Sequence, residues 1–505
     1  MDSSIDMSRG GILVVYENIA AQQSIEYTIQ VMFSSFGLHP STISLRELPS
    51  GSPDLTQALV VSYGHEMPVL EAGGQIHVHA SDFFGEDYLK PCSMPATPLR
   101  RYNGLPVIYA GQGALDGSVR RSENLIETNI DIVASSFFML SRYEEVLLSN
   151  KDKHERFPAT ASLAHREGFL HRPIVNEYIE LLWSWIHLLR PDLERKPVWP
   201  AGKEFAVCLT HDIDSLKRYS IVPPVSAMRS ALLQQRKPRL ALDIALDHCK
   251  TIFRLKEDPY DTFGYILDSE RSHGFTSSFY FMAGGGSKFD DCYPLTSPRA
   301  AKLIDEIERD GHEVGLHGSY HSCCDRDRIA SEKRYLDNVV RCKNYGCRQH
   351  YLRWKTPDTW RIQQEAGLLY DTTLSFADRV GFRCGTCLPF RPFDALKNTT
   401  LDIWELPMTV MERSLQHLDY QALTPEQAYS QITQYIETVR QFSGIFVILW
   451  HNSSFDPLGG WGGWTEVYER VMRYISAQNA LVVCGREIIK TWSARLPSPH
   501  HIADR

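Results

Sequence analysis

No apolar run in the chain approaches the roughly 20 residues that a membrane-spanning helix needs. Among the longest is Ile445-Phe446-Val447-Ile448-Leu449-Trp450, short and β-branched enough to be a buried strand. A basic segment ahead of an apolar core is also missing: MDSSIDMSRGGILVVYENIA carries acidic residues there, so the expectation is a cytoplasmic chain without a signal peptide. Positive charge is not in excess. The 53 Lys and Arg against 61 Asp and Glu give a formal charge of −8, which supplies no net pull toward nucleic acid or an anionic membrane, although a local basic patch is compatible with it. No internal repeat or low-complexity tract occurs. The 11 cysteines, an odd number in a chain with no export signal, are expected as free thiols rather than a disulfide framework. With 43% hydrophobic residues the chain is of ordinary globular composition, and 505 residues exceed what one core fills, which allows two to four domains.

The first part reads as α/β: a strand-like run at Ile12–Tyr16, a helix-like stretch from Ala20 to Phe36, and strands at Ala58–Tyr63 and Gln75–Ala80. His77 and His79 alternate on the last of these and are read as structural. Amphipathic segments around Ile130–Leu148 and Ile174–Leu189 predict helices, separated by the polar loop Ser149–Thr160. The stretch Arg190-Pro191-Asp192-Leu193-Glu194-Arg195-Lys196-Pro197 breaks the pattern, and a boundary is expected there, between residues 1–197 and 198–505.

Beyond it strands and helices alternate. Phe205–Thr210, Thr276–Met282, His312–Leu316, Arg348–Leu352, Ile403–Met408, Gly444–Trp450 and Ala480–Cys484 predict strands. Thr424 to Phe442 predicts a helix with Thr424 as N-cap, Pro425 in the first turn and Gln427 completing a capping box, and Pro298–Asp310 another. Such alternation favours a parallel sheet or barrel, in which ligands gather at the carboxyl ends of strands.

Polar clusters fall just past those ends. Thr210-His211-Asp212-Ile213-Asp214 sets two carboxylates beside a histidine, against the alternative of a helix cap or turn. In His317-Gly318-Ser319-Tyr320-His321 two histidines lie at i, i+4, a spacing that can hold one metal ion. Together, aspartate and two histidines would make a three-ligand site with an open position for water, the composition of catalytic zinc sites. His451 follows an apolar strand in Leu449-Trp450-His451-Asn452, where it can act as a general acid or sit as a core histidine. Arg348-Gln349-His350-Tyr351 and Tyr370-Asp371-Thr372-Thr373 by themselves imply only an ion pair.

In order and spacing these clusters resemble the polysaccharide deacetylase family, carbohydrate esterase family four, with its NodB-homology domain. The resemblance covers roughly residues 200–490 and implies a distorted (β/α) barrel preceded by a smaller α/β domain. It implies Asp212 as catalytic base and Asp214 as metal ligand, the inserted Ile213 leaving open which aspartate binds. It further implies His317 and His321 as metal histidines, although Gly318 replaces the family's hydroxyl residue. Arg348 would hold Asp212, with Asp371 orienting the arginine. His451 would be the acid, and the backbone N–H near Tyr351 would help to bind an oxyanion. Both prolines of the arginine motif are replaced here, by Gln349 and His350, implying a different substrate groove. The cofactor implied is a divalent metal, Zn2+ first. The activity implied is removal of an N-acetyl group from an amino sugar of a polysaccharide or glycoconjugate precursor. Alternatives are an amidohydrolase for another small C–N substrate and an inactive carbohydrate-binding protein. The partner is thus an acetylated sugar and not nucleic acid; nothing in the sequence fixes an oligomeric state.

Phe137-Phe138-Met139-Leu140-Ser141-Arg142-Tyr143-Glu144-Glu145 resembles an uncharacterised domain found ahead of deacetylase domains in some bacterial proteins. Asp402 is a candidate carboxylate to keep His451 protonated. Trp461 and Trp464, in a glycine-rich loop after His451, suit stacking on a sugar or pinning the loop to the core. Cys384-Gly385-Thr386-Cys387 and Cys323-Cys324 are read as ordinary thiols. The segment Ser220–Asp258, with Arg229, Arg236, Lys237, Arg239, Lys250 and Arg254, has no counterpart in the family core. It is expected as a solvated helical insertion, or as a contact for an anionic ligand.

Overall fold

The computed structural model describes residues 11–17, 20–48, 55–111, 118–219, 224–234, 236–291 and 293–496. The first part forms β1 (Ile12–Tyr16), β2 (Ser41–Ser44), β3 (Leu55–Gly64) and β4 (Ala72–His79), a small hairpin of β5 (Arg100–Tyr102) and β6 (Leu105–Val107), then β7 (Val119–Arg121) and β8 (Leu125–Thr128). Six of these make one sheet in the order β2-β1-β3-β4-β8-β7, parallel except where β7 meets β8. His77 on β4 is buried against the Ser62 hydroxyl, and His79 pairs with Glu127. The predicted helix over Ile174–Leu189 forms, burying Ile179, Leu182 and Ile186 on its inward face.

The segment around Ile130–Leu148, expected as one helix, is two: Ile132–Leu140 and Tyr143–Leu147. Arg142 breaks it by taking φ 52°, a left-handed conformation that costs a non-glycine residue energy. What holds it there is its guanidinium, buried and donating to Glu144, to Glu145 and to the carbonyl oxygen of Arg383.

The second sheet contains β9 (Phe205–Ile213), β10 (Ser278–Met282), β11 (Glu313–Gly318), β12 (Gly346–Gln349) and β13 (Tyr370–Asp371). After a hairpin of β14 (Phe393–Asp394) and β15 (Thr399–Thr400) come β16 (Trp404–Glu405), β17 (Val410–Met411), β18 (Ile445–Leu449) and β19 (Ala480–Val482). Its order is β16-β13-β12-β11-β10-β9-β18-β17, with β19 beside the start of β9, and every pair is parallel. Laid flat, eight strands would separate the edges by about 34 Å. The edge strands β16 and β17 are joined only by residues 406–409, which reach about 17 Å when extended. The sheet must therefore curl round on itself, as in a distorted barrel. The predicted strand Ile403–Met408 is this junction, so it yields only two paired residues at β16.

The helix Pro425–Gln441 forms with the Thr424–Gln427 capping box complete. Chain passes between the two sheets through the proline-containing stretch 190–197, which we propose as the boundary, but the packing is continuous across it. Phe393 of β14 packs against Tyr27 and, edge to face, against Phe137, at 4.9 and 5.2 Å between ring centroids. The Glu145 carboxylate accepts hydrogen bonds from both Arg142 and Arg383 and from the Thr356 hydroxyl.

Candidate metal centre

Parallel register brings the strand ends to one rim. Ile213 of β9 is paired with Phe281, Met282 with His317, and His317 with Arg348, so Asp212, His317 and Arg348 sit at neighbouring carboxyl ends. Asp214, His350 and His451 follow β9, β12 and β18 by one residue or two.

Asp214, His317 and His350 present ligand atoms within 4.8 Å of one another. His317 Nε2 is 3.1 Å from Asp214 Oδ1, and His350 Nε2 is 3.6 Å from that oxygen. The other ring nitrogens are committed elsewhere: His317 Nδ1 faces the Arg348 carbonyl oxygen at 2.9 Å, and His350 Nδ1 the Asp290 carboxylate at 2.9 Å. Facing acceptors, both Nδ1 atoms carry hydrogen, which in neutral rings leaves the Nε2 lone pairs aimed at a carboxylate oxygen. Asp214 Oδ1 and His317 Nε2 are buried with no hydrogen-bond partner. Converging lone pairs on one carboxylate and two braced imidazoles fit a divalent cation. Burial alone would raise the Asp214 carboxyl, but His350, His317 and His451 outweigh it and hold it far below the usual carboxylate range.

Two further groups flank this cluster. Asp212 Oδ1 receives the Arg348 Nη1–H at 2.9 Å, and its other oxygen lies 3.9 Å from His317 Nδ1. Arg348 is fully buried over the Tyr280 ring and is also held by the Thr372 carbonyl oxygen and the Thr210 hydroxyl. His451 Nε2 is 3.8 Å from Asp214 Oδ2, while its Nδ1 meets Glu412 Oε1 at 2.7 Å. Burial opposes protonation of His451, yet Glu412, helped by Asp214 and Asp212, raises its pKa to about 9.

Several sequence expectations need correction. His321 is exposed and stands outside the cluster; the second imidazole is His350, which directly follows the end of β12 at Gln349, where the chain turns through Tyr351 and Leu352 at φ 61° and 52°. Asp371 does not hold Arg348: it accepts from Gln363 and Thr373, beside Glu405. Asp402 is exposed and paired with Arg391; the carboxylate on His451 is Glu412, one residue past β17. Trp461 and Trp464 are 6% and 3% exposed, and Trp464 lies against Trp450, so they pin their loop to the core. His211 turns away from the rim, between Glu270 and the Trp450 carbonyl oxygen. Glu412 and Asp290 were missed; the rule that polar residues matter just past strand ends would have found Glu412 had β17 been recognised.

The loop Ser149–Thr160 reaches this rim. His154 Nδ1 is 3.1 Å from the Tyr320 hydroxyl, and Arg156 Nη1 donates to the Tyr351 carbonyl oxygen at 2.8 Å. Residues from the first part of the chain thus form a wall beside His350.

Residues 12–191 match the model of a family of unknown function, DUF7033. No curated protein matches the chain. Among solved structures, one from Mycobacterium smegmatis, described provisionally as a polysaccharide deacetylase, is 18% identical, covering 60% of this chain and 96% of its own, with a TM-score of 0.40. The chitin deacetylase of Colletotrichum lindemuthianum is 12% identical over 58% of this chain and 89% of its own, at 0.29. A carbohydrate esterase family four pseudoenzyme from Bacillus anthracis is 11% identical over 59% and 70%, at 0.28. At such scores the likeness fixes neither activity nor substrate, and a catalyst and a pseudoenzyme stand side by side in it.

Proposed function

We propose that residues 198–505 form a metal-dependent hydrolase that removes an N-acetyl group from an amino sugar of a polysaccharide or glycoconjugate precursor. The observation that carries this reading is the convergence of unpartnered Asp214 and His317 atoms with His350, between a carboxylate on one side and a protonated imidazole on the other. A divalent cation held by Asp214, His317 and His350, Zn2+ being the first candidate for that donor set, would polarise an amide carbonyl and acidify water.

The chain's own groups supply the proton transfers. Asp212, fixed by Arg348, accepts a proton from the attacking water. His451, kept protonated by Glu412, donates from Nε2 to the departing nitrogen, and without that proton an amine is a poor leaving group. The backbone N–H of Tyr351, in the turn fixed by Arg156, is the candidate donor to the tetrahedral oxyanion.

Acetate release from N-acetylated oligosaccharides tests the reading. It should be abolished in Asp212→Asn, a loss of about 100-fold or more, with metal retained. No acetate from any N-acetyl sugar, with release from a small cyclic or linear amide, would move the activity to the amidohydrolase alternative. A protein that binds sugar but turns over neither would be the inactive binder.

A further inference from the structure

The insertion after β9 is built inside out. Its helices Val225–Arg229 and Pro238–Ile252 and the π-helical stretch Ser230–Gln234 close on a small core of Ala231, Ala241 and Ile244. Larger apolar groups face outward. Residues 225–255 hold eight of the fourteen exposed large apolar side chains of the described residues, led by Leu255, Phe253 and Leu233 at 78%, 74% and 66% exposure. On the long helix Leu242, Leu246, Cys249 and Phe253 fall at i, i+4, i+7 and i+11, one continuous outer stripe opposite the buried Ala241 and Ile244. A solvated insertion has no use for such a stripe.

Charge says what covers it. Residues 224–257 carry four more cations than anions, in a chain of formal charge −8. Lys256 closes on Asp247, but Arg229, Arg236, Lys237, Arg239, Lys250 and Arg254 form no ion pair among the described residues. Arg239, Lys250 and Arg254 lie along one flank of the apolar stripe by helical spacing, outnumbering the single acidic residue there, Asp243. A two-fold contact between copies would set this positive surface against itself. An anionic bilayer answers both features, taking Leu and Phe into its headgroup region while the long cationic side chains reach phosphates.

We propose that the insertion 224–257 docks the protein on an anionic lipid bilayer through Leu242, Leu246 and Phe253, with Arg239, Lys250 and Arg254 on lipid phosphates. The insertion is rooted beside the metal centre. The excursion leaves the rim just past Asp214, and Asn452, the residue after His451, donates to the carbonyl oxygens of Ser215 and Tyr260 at its two ends, at 3.0 and 2.9 Å. Asp258 closes the neck by accepting from the backbone of Arg218 and Tyr219. Together with the hydrolase reading on which this step rests, that placement makes a bilayer-anchored acetamido sugar the substrate class.

Co-sedimentation of the full chain with vesicles of phosphatidylcholine containing about a third phosphatidylglycerol tests docking without substrate or added metal, so it can fail independently of the hydrolase reading. The protein should bind these vesicles and bind pure phosphatidylcholine at least about tenfold more weakly. The triple change Arg239→Ala, Lys250→Ala and Arg254→Ala should weaken binding about a hundredfold, and Leu246→Asp with Phe253→Asp by a similar factor. All these side chains are exposed, and an unchanged circular dichroism spectrum shows that the variants fold. Absence of the wild-type protein from the acidic vesicle pellet at low salt overturns the proposal, as does equal binding by the Asp variant. A dimer in sedimentation velocity that the Asp changes dissolve, without vesicle binding, overturns it in favour of a copy-to-copy interface.

Discussion

Asp214 Oδ1 and His317 Nε2 stand 3.1 Å apart in the protein interior, and neither has a hydrogen-bond partner. With Nδ1–H of His317 turned to the Arg348 carbonyl oxygen, that approach joins two electron pairs unless positive charge sits between or on them. His317→Ala and His350→Ala should each lower zinc affinity by at least about 100-fold, since even residues behind the ligands account for about 10- to 100-fold. His321→Ala should leave it unchanged. Metal content and competitive zinc titration of the purified variants decide between His350 and His321 as the second imidazole.

Arg348 ties Asp212 to Thr210 and Thr372 through a planar fork that a lysine cannot reproduce. Arg348→Lys should therefore lower kcat of acetate release about 10- to 100-fold while metal content stays at the wild-type level. Asp371→Asn, which touches no atom of Arg348, should lower kcat far less. Equal losses in steady-state assays of the two would restore Asp371 as the residue that orients the arginine.

Glu145 is buried between Arg142 and Arg383 across the two sheets. Burial by itself raises its pKa, but Arg383 and Arg142 prevail and lower it from 4.5 to about 2. A carboxyl depressed by folding contributes stability that is complete above 4.5 and lost as pH falls toward about 2. The shift corresponds to about 3 kcal/mol. Glu145→Gln should cost about that much at neutral pH, and the gap to wild type in urea unfolding should narrow as pH drops below about 4.5. A gap independent of pH would show that the arginines do not depend on this charge.

Trp464 is buried against Trp450 and Trp461. Trp464→Ala should destabilise the protein by about 3–5 kcal/mol, read by denaturant unfolding. Trp461→Phe, which keeps most of the packing, should leave KM for an acetylated oligosaccharide within about twofold. A rise in KM without loss of stability would return these rings to the substrate groove.

The alternation of apolar strands and amphipathic helices was legible along the chain because each element's periodicity is local, and so was the rim itself. A polar residue directly after a buried strand has few places to be other than the carboxyl end of a sheet. Asp212, Asp214, His317 and His451 were singled out that way, whereas Arg348, placed inside a predicted strand, came only from the family resemblance. The second imidazole was not, since i, i+4 spacing describes a helical turn and His321 lies exposed where the chain has already left β11. Glu412 escaped because β17 is two residues long, too short to show a period.

Sequence by itself determined the alternation of parallel strands with helices and the side-chain chemistry available at the strand ends, since both follow from patterns a few residues long. Only the tertiary structure decided which side chains meet: His350 in place of His321, Glu412 in place of Asp402, and Arg142 and Arg383 on one carboxylate from residues 241 positions apart. Those choices depend on where strands end and how a sheet curls, and such distances are set by packing across the core, which local spacing does not contain.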